Sequence, residues 1–301
     1  MITSLTNQKI KNVVKLMTST KERRQNHAYV IEGLNLFSEA PFNKIRRIFM
    51  TRDGYEKAVR IRPELGKIVI DAPMQSLHGP DCELVADDVF KKMSDTATPQ
   101  GILCVMDMPD FSLRELIRSE NFTDRTSNSS FSGHYENSSR PSSLTRADIT
   151  DERLILVLEG IQDPGNLGTM LRTGEAAGVS FILADKQTVD LYSPKAIRST
   201  MGAIFRTPVI YTDDLTASLK ELKSLGVNIY AAHLEGRHDY WSERYNKKTA
   251  FLIGNEGNGL SDEISSMADS LIRIPMEGEV ESLNAAIAAS LLMFEYKRQF
   301  R

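Results

Sequence analysis

Residues 160–172 read Gly160-Ile161-Gln162-Asp163-Pro164-Gly165-Asn166-Leu167-Gly168-Thr169-Met170-Leu171-Arg172, and this stretch decides how the chain is read. It follows residues 153–159, an apolar run short enough for a strand, and leads into residues 167–177, whose apolar positions repeat at helical spacing. Pro164 and Gly165 break the chain between the two elements, and Gly168 lets backbone approach closely. Asn166 is a candidate helix cap or a polar site residue. Arg172, beside Leu171, Ala176 and Ala177, is either a surface ion-pair partner or a ligand-facing cation.

Outward from this unit the strand–helix alternation continues. Strands are predicted at 180–184, 204–211, 227–232, 249–254 and 271–274, with helices at 193–201, 215–225, 261–268 and 282–298. Strands this apolar suit a mostly parallel sheet covered on both faces. In such sheets ligands bind beyond the carboxyl ends of the strands, so the loops after the strands matter most. After 249–254 comes Gly254-Asn255-Glu256-Gly257-Asn258-Gly259, three glycines around one carboxylate. It matches neither the dinucleotide fingerprint nor the P-loop, and taken alone it is a glycine-rich turn. After 271–274 comes Pro275-Met276-Glu277-Gly278-Glu279-Val280-Glu281-Ser282-Leu283-Asn284, then an alanine-rich helix. Ser282 is the expected cap of that helix, with Asn284 in its first turn.

Toward the N-terminus, residues 2–20 read as an amphipathic helix, with further elements at 28–31, 34–40, 45–51, 67–70, 82–92 and 101–106. This alternation also implies an α/β layer, ending near Pro109. Nine of the 29 residues at 119–147 are serine and few are strongly apolar, which predicts a linker or surface insertion. The expected division is therefore 1–110, a linker at 111–150, and 151–301.

The chain of 301 residues is long enough for about two domains. Its net charge of −3 argues at first against a polyanion ligand, but the mean conceals a partition. Residues 1–62 carry +8 and the remainder −11. Such asymmetry points to a polyanion partner or, more plainly, to a solvated basic face. Cys82 and Cys104 have no zinc-type spacing and read as buried thiols of a reducing compartment, with a lone bridge as the alternative. No metal site is expected. No run of apolar residues reaches membrane-spanning length, and the first residues lack the apolar core of a secretory signal, so a cytoplasmic location is expected.

Asp163–Gly168 with Arg172 resembles the first motif of the SpoU/TrmH family. Gly254-Asn255-Glu256-Gly257 resembles the second, and Ile274-Pro275-Met276 through Glu281-Ser282-Leu283-Asn284 the third. The similarity runs through residues 153–298 in order and spacing. Phe90 to Leu103 resembles the closing signature of the family's substrate-binding domain, a small fold related to an RNA-binding ribosomal protein. The resemblance implies an S-adenosylmethionine-dependent RNA ribose 2′-O-methyltransferase of the SPOUT superfamily. It implies an α/β fold, with a C-terminal SPOUT knot (a deep trefoil in a mostly parallel sheet) behind a smaller N-terminal α/β RNA-binding domain. It also implies a homodimer.

By that resemblance, backbone at Gly254, Ile274 and Leu283 would hold the cofactor, and Asn166, Arg172, Glu256, Ser282 and Asn284 would form the polar site. Glu256 would bind or orient substrate or fix the site; Ser282 and Asn284 would organise the third motif and the ribose. The family's Arg172 is credited with activating the hydroxyl, yet an arginine is a poor general base, and phosphate or oxyanion binding suits it better. Replacing Asn284 is expected to cost both cofactor binding and rate. Lys21, Arg23, Arg24, Arg46 and Arg47 become candidate phosphate contacts with salt-dependent affinity. The two-part organisation favours ribosomal RNA of the 23S type. Alternatives are a tRNA 2′-O-methyltransferase and a non-catalytic ribosome-assembly factor. A nucleotide-dependent oxidoreductase is disfavoured by the missing fingerprint.

Overall fold

The computed structural model describes residues 1–67, 80–118 and 152–300. The serine-rich stretch at 119–147 and most of the strand expected at 67–70 lie outside them. Two packing units result. The first comprises Met1–Asp110 together with Asp163–Arg172 and Val189–Phe205; the second comprises Phe111–Gln162, Thr173–Thr188 and Arg206–Arg301.

In the first unit, α1 (Gln8–Thr18), α2 (Thr20–Asn26), β1 (Ala28–Glu32), α3 (Leu34–Glu39), β2 (Ile45–Met50), α4 (Arg52–Ile61), β3 (Asp81–Leu84), α5 (Asp87–Met93) and β4 (Ile102–Asp107) follow one another. The strands form a sheet in the order β1-β4-β2-β3, antiparallel except where β2 meets β3. The helix expected at 2–20 is shorter and divided. Ile2 instead bridges Val85, because its N–H donates to Leu84 O at 2.7 Å and its carbonyl accepts from Ala86 N–H at 2.9 Å. Asn7 then caps α1, its Oδ1 accepting from Lys9 N–H at 2.9 Å, and Ser19 separates α1 from α2 in extended backbone. The basic cluster Lys21, Arg23 and Arg24 is therefore helical. Ile10, Val13, Leu16 and Met17 of α1 pack with Phe49, Phe90 and Leu103 in one apolar core. The stretch at 82–92, expected to contain a helix, does so in α5, which follows β3. The same unit holds the first nine residues of the helix at Pro164–Ala177 and the helix at Pro194–Thr200. Tyr29 of β1 lies against Tyr192, ring centroids 4.8 Å apart.

The second unit begins with α6 (Leu113–Arg118), whose Leu116 enters the core, so the start of the expected linker is helical. Then come β5 (Arg153–Leu158), α7 (Pro164–Ala177, shared with the first unit), β6 (Phe181–Asp185), α8 (Pro194–Thr200, in the first unit), β7 (Val209–Thr212) and α9 (Leu215–Ser224). They are followed by β8 (Asn228–Ala232), β9 (His238–Asp239), β10 (Lys248–Ile253), α10 (Asp262–Ser266), β11 (Ser270–Arg273) and α11 (Ala285–Gln299). The strand expected at 204–211 starts later, because Ala203–Phe205 forms a 3-10 turn.

The sheet order is β7-β6-β5-β10-β8-β11-β9 and every pairing is parallel. The mostly parallel sheet read from the apolar strands is thus observed. Ile155, Val157, Ala250, Leu252, Ile229 and Ala231 turn one face into the core under α9 and α10. On β10 and β5 packs α11, whose Ala289, Leu292, Met293 and Tyr296 are buried. No helix among the described residues is long and apolar enough to cross a membrane.

Candidate functional site at the carboxyl edge of the parallel sheet

Because all pairings are parallel, the loops after β5, β10, β8 and β11 leave the sheet at one edge, in that spatial order. After β5, Gly160 adopts a left-handed φ of 65°. Its N–H donates to Asp185 Oδ1 at 3.0 Å, and Ile161 N–H donates to Thr188 Oγ1 at 3.2 Å. Asp185, at the end of β6, also accepts from the backbone N–H and the hydroxyl of Thr188 at 2.8 and 2.7 Å. Gln162 N–H donates to Glu256 Oε2 at 3.1 Å, and Asn255 Nδ2 donates to Gly160 O at 2.7 Å. The loops after β5 and β10 are thereby tied together by two hydrogen bonds.

Asp163, rather than Asn166, caps α7. Its Oδ1 accepts from Asn166 N–H at 2.9 Å, and Pro164 fills the first helical position, where no N–H is needed. That hydrogen bond, helped by Lys195, holds the Asp163 carboxyl below the usual carboxylate range. Its contribution to stability is therefore complete above the unfolded carboxylate value and fades as pH falls through the lowered one. Asn166 lies in the first turn and is half-buried. Gly168 meets the expectation of close approach: a Cβ there would lie 2.3 Å from Ser199 Cβ and 2.9 Å from Ala196 O of α8. Arg172 is exposed, with no hydrogen-bond or ion-pair partner among the described residues, so the ion-pair reading does not describe it.

In the loop after β10, Asn255 and Gly259 exchange backbone hydrogen bonds at 3.0 Å. Asn255 Oδ1 accepts from the N–H groups of Gly257 and Asn258 at 2.8 and 3.1 Å. Glu256 stands exposed on this loop. Glu159 grips the other end, accepting from the Ser261 N–H and hydroxyl at 2.9 and 2.6 Å. After β11, Ile274 and Leu283 are half-buried and Ser282 is exposed. Asn284 is the cap of α11, its Oδ1 accepting from Ala286 and Ile287 N–H at 2.9 and 3.3 Å. The expectation that Ser282 caps this helix is corrected, because the helix begins at Ala285.

Sequence reading missed Asp163, Glu159, Asp185, Thr188 and Asn255. An aspartate before a proline at a helix start is a readable cap signal for Asp163. The other four act through contacts distant in the chain. It also missed the loop after β8, His233 to Gly236, which the strand order places between the loops of β10 and β11.

The candidate phosphate contacts divide. Lys21 and Arg24 are exposed. Arg46 pairs with Asp107 and donates to Asn26 O and His27 O at 2.9 and 2.8 Å; Arg47 pairs with Asp81 at 2.8 Å. Arg23 is 3% exposed. Its guanidinium is spent on Leu16 O (2.7 Å), Met17 O (3.1 Å), Thr20 Oγ1 (3.0 Å) and Asp190 (2.6 Å). That residue is a structural pin and not a phosphate contact.

Residues 153–294 match the SpoU rRNA Methylase family, and residues 7–104 match the MRM3-like substrate binding domain. The chain is 29% identical over 296 residues to the 23S rRNA (guanosine(2553)-2′-O)-methyltransferase RlmP of Bacillus subtilis (strain 168), covering 98% of each. It resembles the crystal structure of an rRNA methyltransferase from Sinorhizobium meliloti, with a TM-score of 0.75 and 27% identity over 100% of this chain and 98% of that one. The AdoMet-bound form of that enzyme aligns with a TM-score of 0.74 and 27% identity, over 100% and 98% of the two chains. Residues 153–294 are thus a SpoU rRNA methylase domain and residues 7–104 an MRM3-like substrate-binding domain, and the protein is an S-adenosylmethionine-dependent RNA ribose methyltransferase.

Proposed function

We propose that the protein methylates one ribose 2′-hydroxyl of 23S ribosomal RNA in the cytoplasm, working as a homodimer. Residues 1–110 form its RNA-binding domain and 151–301 a knotted catalytic domain, to whose core α6 (Leu113–Arg118) adds Leu116. The observation that carries this reading is the tie of Gln162 and Gly160 to Glu256 and Asn255, which joins the loops of the first and second motifs at one sheet edge.

The residues at this edge fit S-adenosylmethionine. A Cβ on Gly254 would lie 2.2 Å from the Gly259 carbonyl carbon, so this loop keeps its backbone bare. Half-buried Ile274 and Leu283 suit an adenine, and Glu256, Glu277, Glu279 and Glu281 suit a cationic ligand. When bound, S-adenosylmethionine would supply an electrophilic methyl on a sulfonium to the ribose oxygen, leaving as the neutral thioether S-adenosylhomocysteine, with the hydroxyl proton passing to solvent. The Arg172 guanidinium carries donors only and does not accept it. Its fork instead holds a phosphate and the charge developing on the ribose oxygen. Glu256 is a positioning residue through Gln162, and Asn284 sets where α11 begins. By the family resemblance Asn166 and Ser282 are the remaining polar residues of the first and third motifs.

The knot is supported by the strand order. β8 and β9 are joined by only residues 233–237, yet β11 lies between them. The joining loop crosses β11 so closely that a Cβ on Gly236 would lie 2.5 Å from the Ile272 carbonyl carbon and 2.6 Å from Arg273 N. Gly236→Ala is expected to cost about 1–3 kcal/mol by overpacking. Thermal melting checks this: a midpoint several degrees lower is expected, and an unchanged midpoint would mean the crossing is loose. For the homodimer, Ile287 and Phe294, 50% and 47% exposed, lie two turns apart on one face of α11, an apolar stripe that a second copy covers.

Mapping 2′-O-methylation in RNA from cells with and without the gene tests the reading. Loss of one methylated ribose in 23S RNA is expected. Loss in tRNA instead would replace the substrate, and no loss would overturn the function.

A further inference from the structure

The chain has one tryptophan, and it is 50% exposed. Trp241 follows the edge strand β9, two residues beyond Asp239. Register fixes its level along the sheet. Asp239 pairs with Arg273, the last residue of β11, and Tyr240 N–H donates to Arg273 O at 2.9 Å. Trp241 therefore stands where Ile274 leaves β11 and the third-motif loop begins. Within the second unit, the carboxyl edge runs from the loop of β10 through those of β8 and β11 to Trp241. Three strand spacings separate β10 from β9, about 14 Å.

The indole leans on Tyr240, ring centroids 5.0 Å apart at 67°, which leaves its own surface to solvent. Arg237 and Arg244 flank it in sequence, both exposed and without an ion-pair partner among the described residues. His238 is exposed beside them. Unpaired cations next to an exposed indole stand out in the part of the chain that carries −11 overall. An aromatic face with flanking cations is the chemistry that binds single-stranded nucleic acid: the base stacks and the cations meet the phosphates.

We propose that Trp241, with Arg237 and Arg244, is a stacking platform for an unpaired nucleotide of the RNA substrate that flanks the methylated ribose. The platform positions the strand along the sheet edge and takes no part in methyl transfer. The proposal rests on the RNA methyltransferase reading, and its test separates the two.

As the sole tryptophan, Trp241 reports its own contacts. Titrating the wild-type protein with single-stranded oligoadenylate is expected to quench its emission, and the same strand paired with oligouridylate to leave the emission largely unchanged. Trp241→Ala is expected to raise KM for ribosomal RNA about tenfold. Turnover at saturating RNA and affinity for S-adenosylhomocysteine are expected to stay within about twofold, and Trp241→Phe to recover most of the loss, as stacking requires. Emission indifferent to the strand, or an unchanged KM in Trp241→Ala, overturns the proposal. A change of sedimentation in Trp241→Ala also overturns it, by making the indole a contact between copies. Absence of methyl transfer by the wild type refutes the underlying activity instead; quenching by the strand is read without turnover.

Discussion

Arg172→Lys is expected to lower turnover roughly 100-fold while leaving affinity for S-adenosylhomocysteine near that of the wild type. Arg172 sits on α7 six residues after Asn166, exposed and with no partner among the described residues. A guanidinium held that way is not stabilising the fold, so its replacement reports on substrate. Lysine keeps the charge but offers a point charge in place of a planar fork. It would still attract a phosphate, but it could not grip a phosphate and a developing alkoxide together. Loss of kcat with retained cofactor binding therefore separates transition-state stabilisation from general binding. Single-turnover rates with labelled cofactor provide the measurement, and wild-type turnover in the variant would remove Arg172 from the reaction.

Arg23→Ala is expected to destabilise the protein by about 3–5 kcal/mol, the cost of stranding a buried charge. The arginine is 3% and Asp190 13% exposed, so the pair is scarcely screened by solvent. Removing the guanidinium strands the Asp190 carboxylate and takes donors from Leu16 O and Met17 O. Arg24→Ala, one residue along on the exposed side of α2, is the control and should change stability by no more than about 0.5 kcal/mol. Denaturant melts of both variants decide the matter. Equal midpoints for the two would mean that the Arg23 network contributes nothing. A marked loss in Arg23→Ala alone would also explain any loss of RNA affinity in that variant without a phosphate contact.

Arg23 also shows where reading from sequence stops. A charge count treats Arg23 and Arg24 alike, since burial depends on what folds over a residue, and Asp190 is far away in the chain. Arg46 and Arg47 are similar, because their carboxylate partners Asp107 and Asp81 come from β4 and β3. By contrast, the parallel sheet was legible, because β5, β6 and β10 are short apolar runs with punctuated ends. The loops after β5 and β10 could be identified from glycines, Asn166, Arg172 and Glu256, but not the bond from Gln162 to Glu256 that joins them. Helix starts were misplaced by a few residues at both site helices. Several small polar residues compete for each cap, and only geometry selects Asp163 over Asn166 and Asn284 over Ser282. The threading of β11 between β8 and β9 has no local signal, because hydropathy records strands and not the order in which they insert.

The most direct test is chemical analysis of the product. Purified protein is incubated with methyl-labelled S-adenosylmethionine and ribosomal RNA lacking the modification, and the RNA is digested to nucleosides. All transferred label is expected in a single 2′-O-methyl nucleoside. Label on a base, or no label in RNA under conditions where S-adenosylhomocysteine binds, would contradict a ribose methyltransferase.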